Sequence, residues 1–172
     1  MDLSKLSVMI VDDSRSMRTL LANILSSLGV REVTEMGDPA GALQEMRHAM
    51  PDILLVDWRM DLIDGIEFTR LVRTGADSPN PYIPIIMVTG HTERNNVVAA
   101  REAGVTEFVA KPVSVKALAA RLSAVVDKPR PFVKSKGYFG PDRRRRFNPD
   151  YDGPRRRESD KGGGSSQTAA AG

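Results

Sequence analysis

The chain contains no cysteine, which removes disulfides, thiolate metal sites and cysteine nucleophiles at once. Long hydrophobic runs are missing as well, since nothing approaches the roughly 18 apolar residues of a membrane-spanning helix. The opening MDLSKLSVMIVDD lacks the apolar stretch of a secretory leader, and its short run VMIV ends in two acids. A soluble, cytoplasmic protein is expected. Aromatic residues make up only 5% of the chain, with a single tryptophan, Trp58. Histidine is nearly absent, and His48 and His91 share no spacing with other metal ligands, so both read as surface residues.

What is present is ordinary in amount and uneven in distribution. A chain of 172 residues with 41% hydrophobic and 27% charged residues suits one globular domain with an appendage. The net charge of +3 hides an asymmetry. Residues 1–127 carry 13 basic and 17 acidic side chains, whereas residues 128–172 carry 12 basic and 5 acidic ones. A basic tail on an acidic domain marks the tail as the part that meets an anion.

Apolar strands and amphipathic helices alternate through the first part. Strands are expected over Ser7–Val11, Glu32–Met36, Asp52–Asp57, Pro84–Thr89 and Glu107–Ala110. Helices are expected near Ser14–Leu28, Pro39–Ala49, Gly65–Thr74, Thr92–Ala103 and Ser114–Val126. Met17, Leu20, Leu21, Ile24, Leu25 and Leu28 recur at helical spacing, and Ser14, Asp38-Pro39 and Thr92 signal helix starts. The runs VMIV, DILLVD and PIIMV look like strands buried on both faces, as in a parallel sheet covered by helices. Five such units in residues 1–127 define a doubly wound α/β domain, in which ligands bind beyond the carboxyl ends of the strands.

That rule collects a constellation. Asp12 and Asp13 follow the first strand, Asp57 ends the third, Thr89 the fourth and Lys111 follows the fifth. Clustered carboxylates repel one another and suit a hard cation such as Mg2+. A lysine and a hydroxyl beside them can hold the oxygens of a phosphoryl group, and the Asp57 carboxylate can attack one to give an aspartyl phosphate.

IVDDS, LLVDWRM, IIMVTG and FVAKP resemble, in order and spacing, the signature motifs of CheY-like response-regulator receivers over about 120 residues. The resemblance implies a flavodoxin-like sheet of order 2-1-3-4-5, Asp12 and Asp13 as Mg2+-binding acids, and Asp57 as phosphoacceptor and third metal ligand. It further implies Thr89 as switch hydroxyl, Lys111 as phosphate-pairing lysine, Phe108 as switch aromatic, and a cis peptide before Pro112. Arg59 stands where the family uses a backbone carbonyl for the metal, and Asp61 where many members have proline.

After Asp127 the character changes to Pro, Gly and Arg with little apolar periodicity, so residues 128–161 are expected to be disordered when free, and 162–172 to form a flexible Gly/Ser/Ala end. GPDRRR (Gly140–Arg145) and GPRRR (Gly153–Arg157) repeat weakly, with Tyr138, Phe139, Phe147 and Tyr151 interleaved and Asp142, Asp150, Asp152 and Asp160 among the arginines. A plain phosphate binder gains nothing from those acids. Guanine fits better: its O6 and N7 accept an arginine fork, its N–H edge donates to a carboxylate, and its ring stacks on tyrosine.

A CheY-like receiver ending in YFGPDRRRR and GPRRR resembles the Cle proteins, whose arginine-rich tails bind cyclic di-GMP and which act at the flagellar motor. The resemblance implies a monomeric, non-enzymatic effector recruited to the flagellar base. Its tail would order around cyclic di-GMP through Tyr138, Asp142, Arg143, Arg145, Asp152, Arg155 and Arg156. The partners implied are a flagellar motor switch protein, docked on the face of the fourth helix, fifth strand and fifth helix, and a histidine kinase. No specific nucleic acid is expected. Hydrolysis of cyclic di-GMP is disfavoured, because neither a Glu-Ala-Leu signature nor a His-Asp signature with its metal ligands occurs. The alternative is a phosphorylation-driven regulator whose basic tail meets nucleic-acid or membrane phosphates without specificity.

Overall fold

A computed structural model describes residues 2–90 and 94–143 of the chain. Five parallel strands, β1 (Ser7–Val11), β2 (Glu32–Met36), β3 (Ile53–Asp57), β4 (Ile85–Thr89) and β5 (Glu107–Ala110), form one sheet in the order β2-β1-β3-β4-β5. The helices between them are α1 (Arg15–Ser27), α2 (Pro39–Ala49), α3 (Gly65–Thr74) and α4 (Arg94–Ala103), with α5 (Val115–Asp127) closing the domain. The expected strand order and element boundaries are met almost residue for residue.

Side chains alternate across a strand, and both faces of the central strands are buried, so β1, β3 and β4 need apolar residues at nearly every position. Val8, Ile10, Leu55 and Val88 face Leu21 and Leu25 of α1 and Leu118 and Leu122 of α5. Met9, Val11, Leu54 and Val56 face Met46 of α2 and Phe68 and Val72 of α3. A third cluster sets Met87 against Ala100 and Ala103 of α4. Each fully buried Val, Leu, Ile, Met or Phe among these contributes about 1.5–3 kcal/mol.

The helices begin where the side chains cap them. Ser14 accepts from Met17 N–H at 3.3 Å and Asp38 from Gly41 N–H at 2.7 Å, with Pro39 as first helical residue. Asp64 and Glu67 form a reciprocal capping box at α3, and Ser114 accepts from Ala117 N–H; each cap is worth about 1 kcal/mol. The helix start expected at Thr92 lies outside the described residues.

One expectation is corrected. Residues 128–143 are not disordered: β6 (Phe132–Ser135) and β7 (Tyr138–Pro141) pair as an antiparallel hairpin. Gly137, at φ +83°, supplies its left-handed turn residue. The hairpin packs against the ends of α3 and α4. Disorder followed from composition, but Phe132 and Phe139 find in Tyr82 of the α3–β4 loop a third ring, with centroids 5.1–5.7 Å apart. The three rings pack against one another and tie the hairpin to the α3–β4 loop.

Candidate functional site

The carboxyl ends of β1, β3, β4 and β5 bring the expected residues together. Asp57 ends β3 at 6% exposure, and Lys111 Nζ reaches its Oδ1 at 2.8 Å. Oxygens of Asp12, Asp13 and Asp57 lie within 4.8 Å of one another. Thr89 is buried at the end of β4, and its carbonyl accepts from Lys111 N–H at 2.9 Å. The Lys111–Pro112 peptide is cis, as expected. Phe108 packs half-buried against the cluster of Met87, Ala100 and Ala103, with Trp58 beside it.

Asp12 is the strained member. It is 1% exposed, and its Oδ1 accepts from Ser14 N–H at 2.8 Å while its Oδ2 has no hydrogen-bond partner. Burial, reinforced by Asp57 and Asp13, pushes its carboxyl up to about 6 despite the Ser14 bond and the nearby Lys111 charge. A buried carboxylate oxygen without a donor, facing two more carboxylates, is suited to a divalent cation. The donor set therefore fits Mg2+, with Asp12, Asp13 and Asp57 as its holders.

Three supporting residues were not singled out in the sequence. Arg18 Nη1 donates to the carbonyl of Asp12 at 2.7 Å, and its Nε lies 3.6 Å from Glu35, which braces the β1–α1 loop. Gly65 is required because a Cβ there would stand 2.3 Å from the Asp57 carbonyl. Leu62, between Asp61 and the α3 cap, is fully exposed at φ +68°. Arg18 stands one turn beyond Ser14, but only the fold shows that its side chain turns back to the loop carbonyls.

The tail residues divide. Arg145, Asp152, Arg155 and Arg156 lie outside the described residues. Tyr138, expected as an open stacking platform, is instead 8% exposed: its hydroxyl donates to Pro141 O at 2.6 Å, and the Arg143 guanidinium covers its ring at 4.3 Å. Asp142 follows, its N–H donating to Pro131 O at 2.7 Å. These residues sit at the amino-terminal edge of β5, the edge away from Asp57.

Beneath the hairpin lies Arg73, at the end of α3 and 3% exposed. Its Nε donates to Gly104 O and its Nη1 to Pro81 O and Ile83 O at 2.7–3.0 Å. Phe132 covers its guanidinium at 5.0 Å. Burial lowers its pKa to about 10, so it stays charged at neutral pH.

A 2-1-3-4-5 parallel sheet with an acidic triad and a lysine at its carboxyl edge defines a receiver domain, a signalling module. The chain belongs to the response regulator receiver domain family, whose model matches residues 8–123. It is 32% identical to the chemotaxis protein CheY of Pseudomonas aeruginosa over 123 residues, covering 72% of this chain and 98% of that protein. The solved structure of Vibrio cholerae CheY4 superposes with a TM-score of 0.64 at 29% identity, over 70% of this chain and 98% of that one. A receiver domain of a Pseudomonas aeruginosa sensor histidine kinase, solved with magnesium in its active-site cleft, superposes with a TM-score of 0.60 at 27% identity, over 69% and 94% of the two chains. The protein is thus a CheY-like response regulator. No helix among the described residues is long and apolar enough to cross a membrane.

Proposed function

We propose that the protein is a motility effector with two inputs, phosphorylation at Asp57 and cyclic di-GMP at the arginine-rich tail, and that its output is docking on the flagellar motor switch. The observation that carries the first input is the buried Asp57 held by Lys111 at 2.8 Å beside Asp12 and Asp13. An Asp57 oxygen attacks the phosphorus of a phosphoryl donor, the P–O or P–N bond to the leaving group breaks, and its electron pair departs with that group. Lys111 stabilises the charge on the transferred oxygens, and Thr89 hydrogen-bonds one of them. Asp12, Asp13 and Asp57 would hold Mg2+, which would supply positive charge to the phosphoryl oxygens. Phe108, packed against α4, follows the repositioning of Thr89 and carries it to the α4–β5–α5 face. The phosphoryl group ends on Asp57 itself, so the reaction modifies the protein and serves as a switch.

The second input is supported by an arginine run that starts beside Asp142 at the end of an anchored hairpin. The arginines meet ligand phosphates and guanine O6/N7, and the aspartates accept from the guanine N–H edge. The resemblance of the tail motifs to those of the Cle proteins supports the same ligand and recruitment to the flagellar base. Calorimetric titration of cyclic di-GMP into the intact protein and into Asp142→Ala tests this. Guanine-selective binding weakened by Asp142→Ala is expected. Salt-sensitive binding of any polyphosphate, strengthened by the same substitution, would instead mark a non-specific electrostatic tail.

A further inference from the structure

The three carboxylates of the cation site are not held alike. Asp12 and Asp57 are buried, so the fold fixes their side chains, whereas Asp13 is exposed. An exposed aspartate is free to turn its carboxylate into water, which leaves a cation two protein ligands in place of three. Two contacts oppose that. Within the β1–α1 loop, Arg18 Nη1 donates to the Asp13 carbonyl at 3.4 Å as well as to that of Asp12 at 2.7 Å. From the β3–α3 loop, the backbone N–H of Asp61 donates to Asp13 Oδ2 at 3.3 Å.

That N–H is presented by a strained piece of chain. Residues 58–65 form a loop closed at its base, where Gly65 N–H donates to Trp58 O at 2.8 Å. At its tip, Ile63 N–H donates to Asp61 O at 2.8 Å across Leu62, which lies at φ +68°. A three-residue turn of that hand is rare and strained, and a leucine adopts it at a cost that glycine escapes. Leu62 is fully exposed, so its side chain recovers nothing by burial. The turn folds the loop back on itself, and its first residue, Asp61, is the one whose N–H meets Asp13. Backbone strain kept at the rim of a site, with no return in packing, points to a use at that site.

We propose that Asp61 is a positioning residue for the cation site: its N–H, set by the strained turn at Leu62, holds the exposed Asp13 carboxylate in register with the buried carboxylates of Asp12 and Asp57. This rests on the reading of the triad as a Mg2+ site and names what gives that site its geometry. An ionised carboxylate offers about four lone-pair positions, so one N–H orients Asp13 and leaves oxygen free for a cation. Orientation before binding lowers the ordering cost of binding. It also bears on selectivity, because Mg2+ demands near-ideal octahedral geometry whereas Ca2+ accepts flexible arrangements.

The test is titration of the full chain with Mg2+ and with Ca2+, followed by urea denaturation and by the fluorescence of Trp58, the single tryptophan, which directly follows Asp57. Asp61→Ala and Asp61→Pro both remove the carboxylate, but only Asp61→Pro removes the N–H. Asp61→Pro should bind Mg2+ about three- to tenfold more weakly than Asp61→Ala, the worth of one hydrogen bond, with a smaller loss for Ca2+. Leu62→Gly keeps the donor and relaxes the turn. It should weaken Mg2+ binding by about two- to fivefold while the cation-free protein resists urea better, and it carries the test if Asp61→Pro does not fold. Equal Mg2+ affinity of Asp61→Pro and Asp61→Ala, an equal loss for both cations, or undiminished Mg2+ binding by Leu62→Gly overturns the positioning role and leaves the cation site standing. A wild type that Mg2+ neither stabilises against urea nor changes in fluorescence overturns both.

Discussion

Asp12 makes the apo protein less stable at neutral pH than it would be with a neutral group in its place. Its carboxyl titrates at about 6 in the fold against 3.8 when free. Below pH 3.8 the group is protonated in both folded and unfolded chains, and its contribution is fully present. As pH rises towards 6 the unfolded chain releases the proton while the folded chain keeps it, so stability falls, and above 6 the loss is complete. A separation of about two pH units corresponds to on the order of 3 kcal/mol. Asp12→Asn keeps an acceptor for Ser14 N–H and turns the partnerless Oδ2 into an amide donor aimed among carboxylates. Urea denaturation without divalent cation, between pH 4.5 and 8, should show the wild type losing stability relative to Asp12→Asn, with the variant ahead by about 1–3 kcal/mol at pH 8. Added Mg2+ should reverse the order, because a cation binding only the folded form stabilises by mass action and the variant has lost a ligand. A constant difference between the two proteins across that pH range would refute the reasoning, as would equal stabilisation of both by Mg2+.

Arg73→Met should cost about 3–5 kcal/mol in urea denaturation, because three carbonyls lose their donors at a buried position. Gly65→Ala places a Cβ against backbone and should cost at least about 2 kcal/mol; it should also slow labelling of Asp57 by acetyl phosphate, followed on phosphate-affinity gels. Leu62→Gly relieves a left-handed backbone at no burial cost and should raise the unfolding free energy by about 0.5–1 kcal/mol in urea denaturation.

The receiver was legible because its signals are local and redundant. The run Ile53–Asp57 is buried at every position, and a caps-plus-periodicity reading of Ser14–Leu28 places α1 within a residue at each end. The doubly wound topology then carries Asp12, Asp13, Asp57, Thr89 and Lys111 to one edge without further information. The hairpin was not legible, since its stability comes from partners distant in sequence. Phe132 and Phe139 are two aromatics in a Pro- and Arg-rich stretch until Tyr82, some fifty residues earlier, is placed between them. Tyr138 is buried, with the Arg143 guanidinium over its ring, an arrangement that composition does not encode. Nothing in the sequence sets Arg73 apart from other helix arginines; only the fold shows three carbonyls converging on it.

Arg73 also bears on how the chain is made. The receiver emerges from the ribosome before residues 130–143 do, so for an interval the end of α3 has no cover. A leucine there would present a greasy spot to neighbouring nascent chains, whereas a guanidinium is at ease in water. In the finished fold the same side chain holds its three carbonyls and offers Phe132 a cationic face. A guanidinium thus suits both the solvated position before the hairpin docks and the buried one after it.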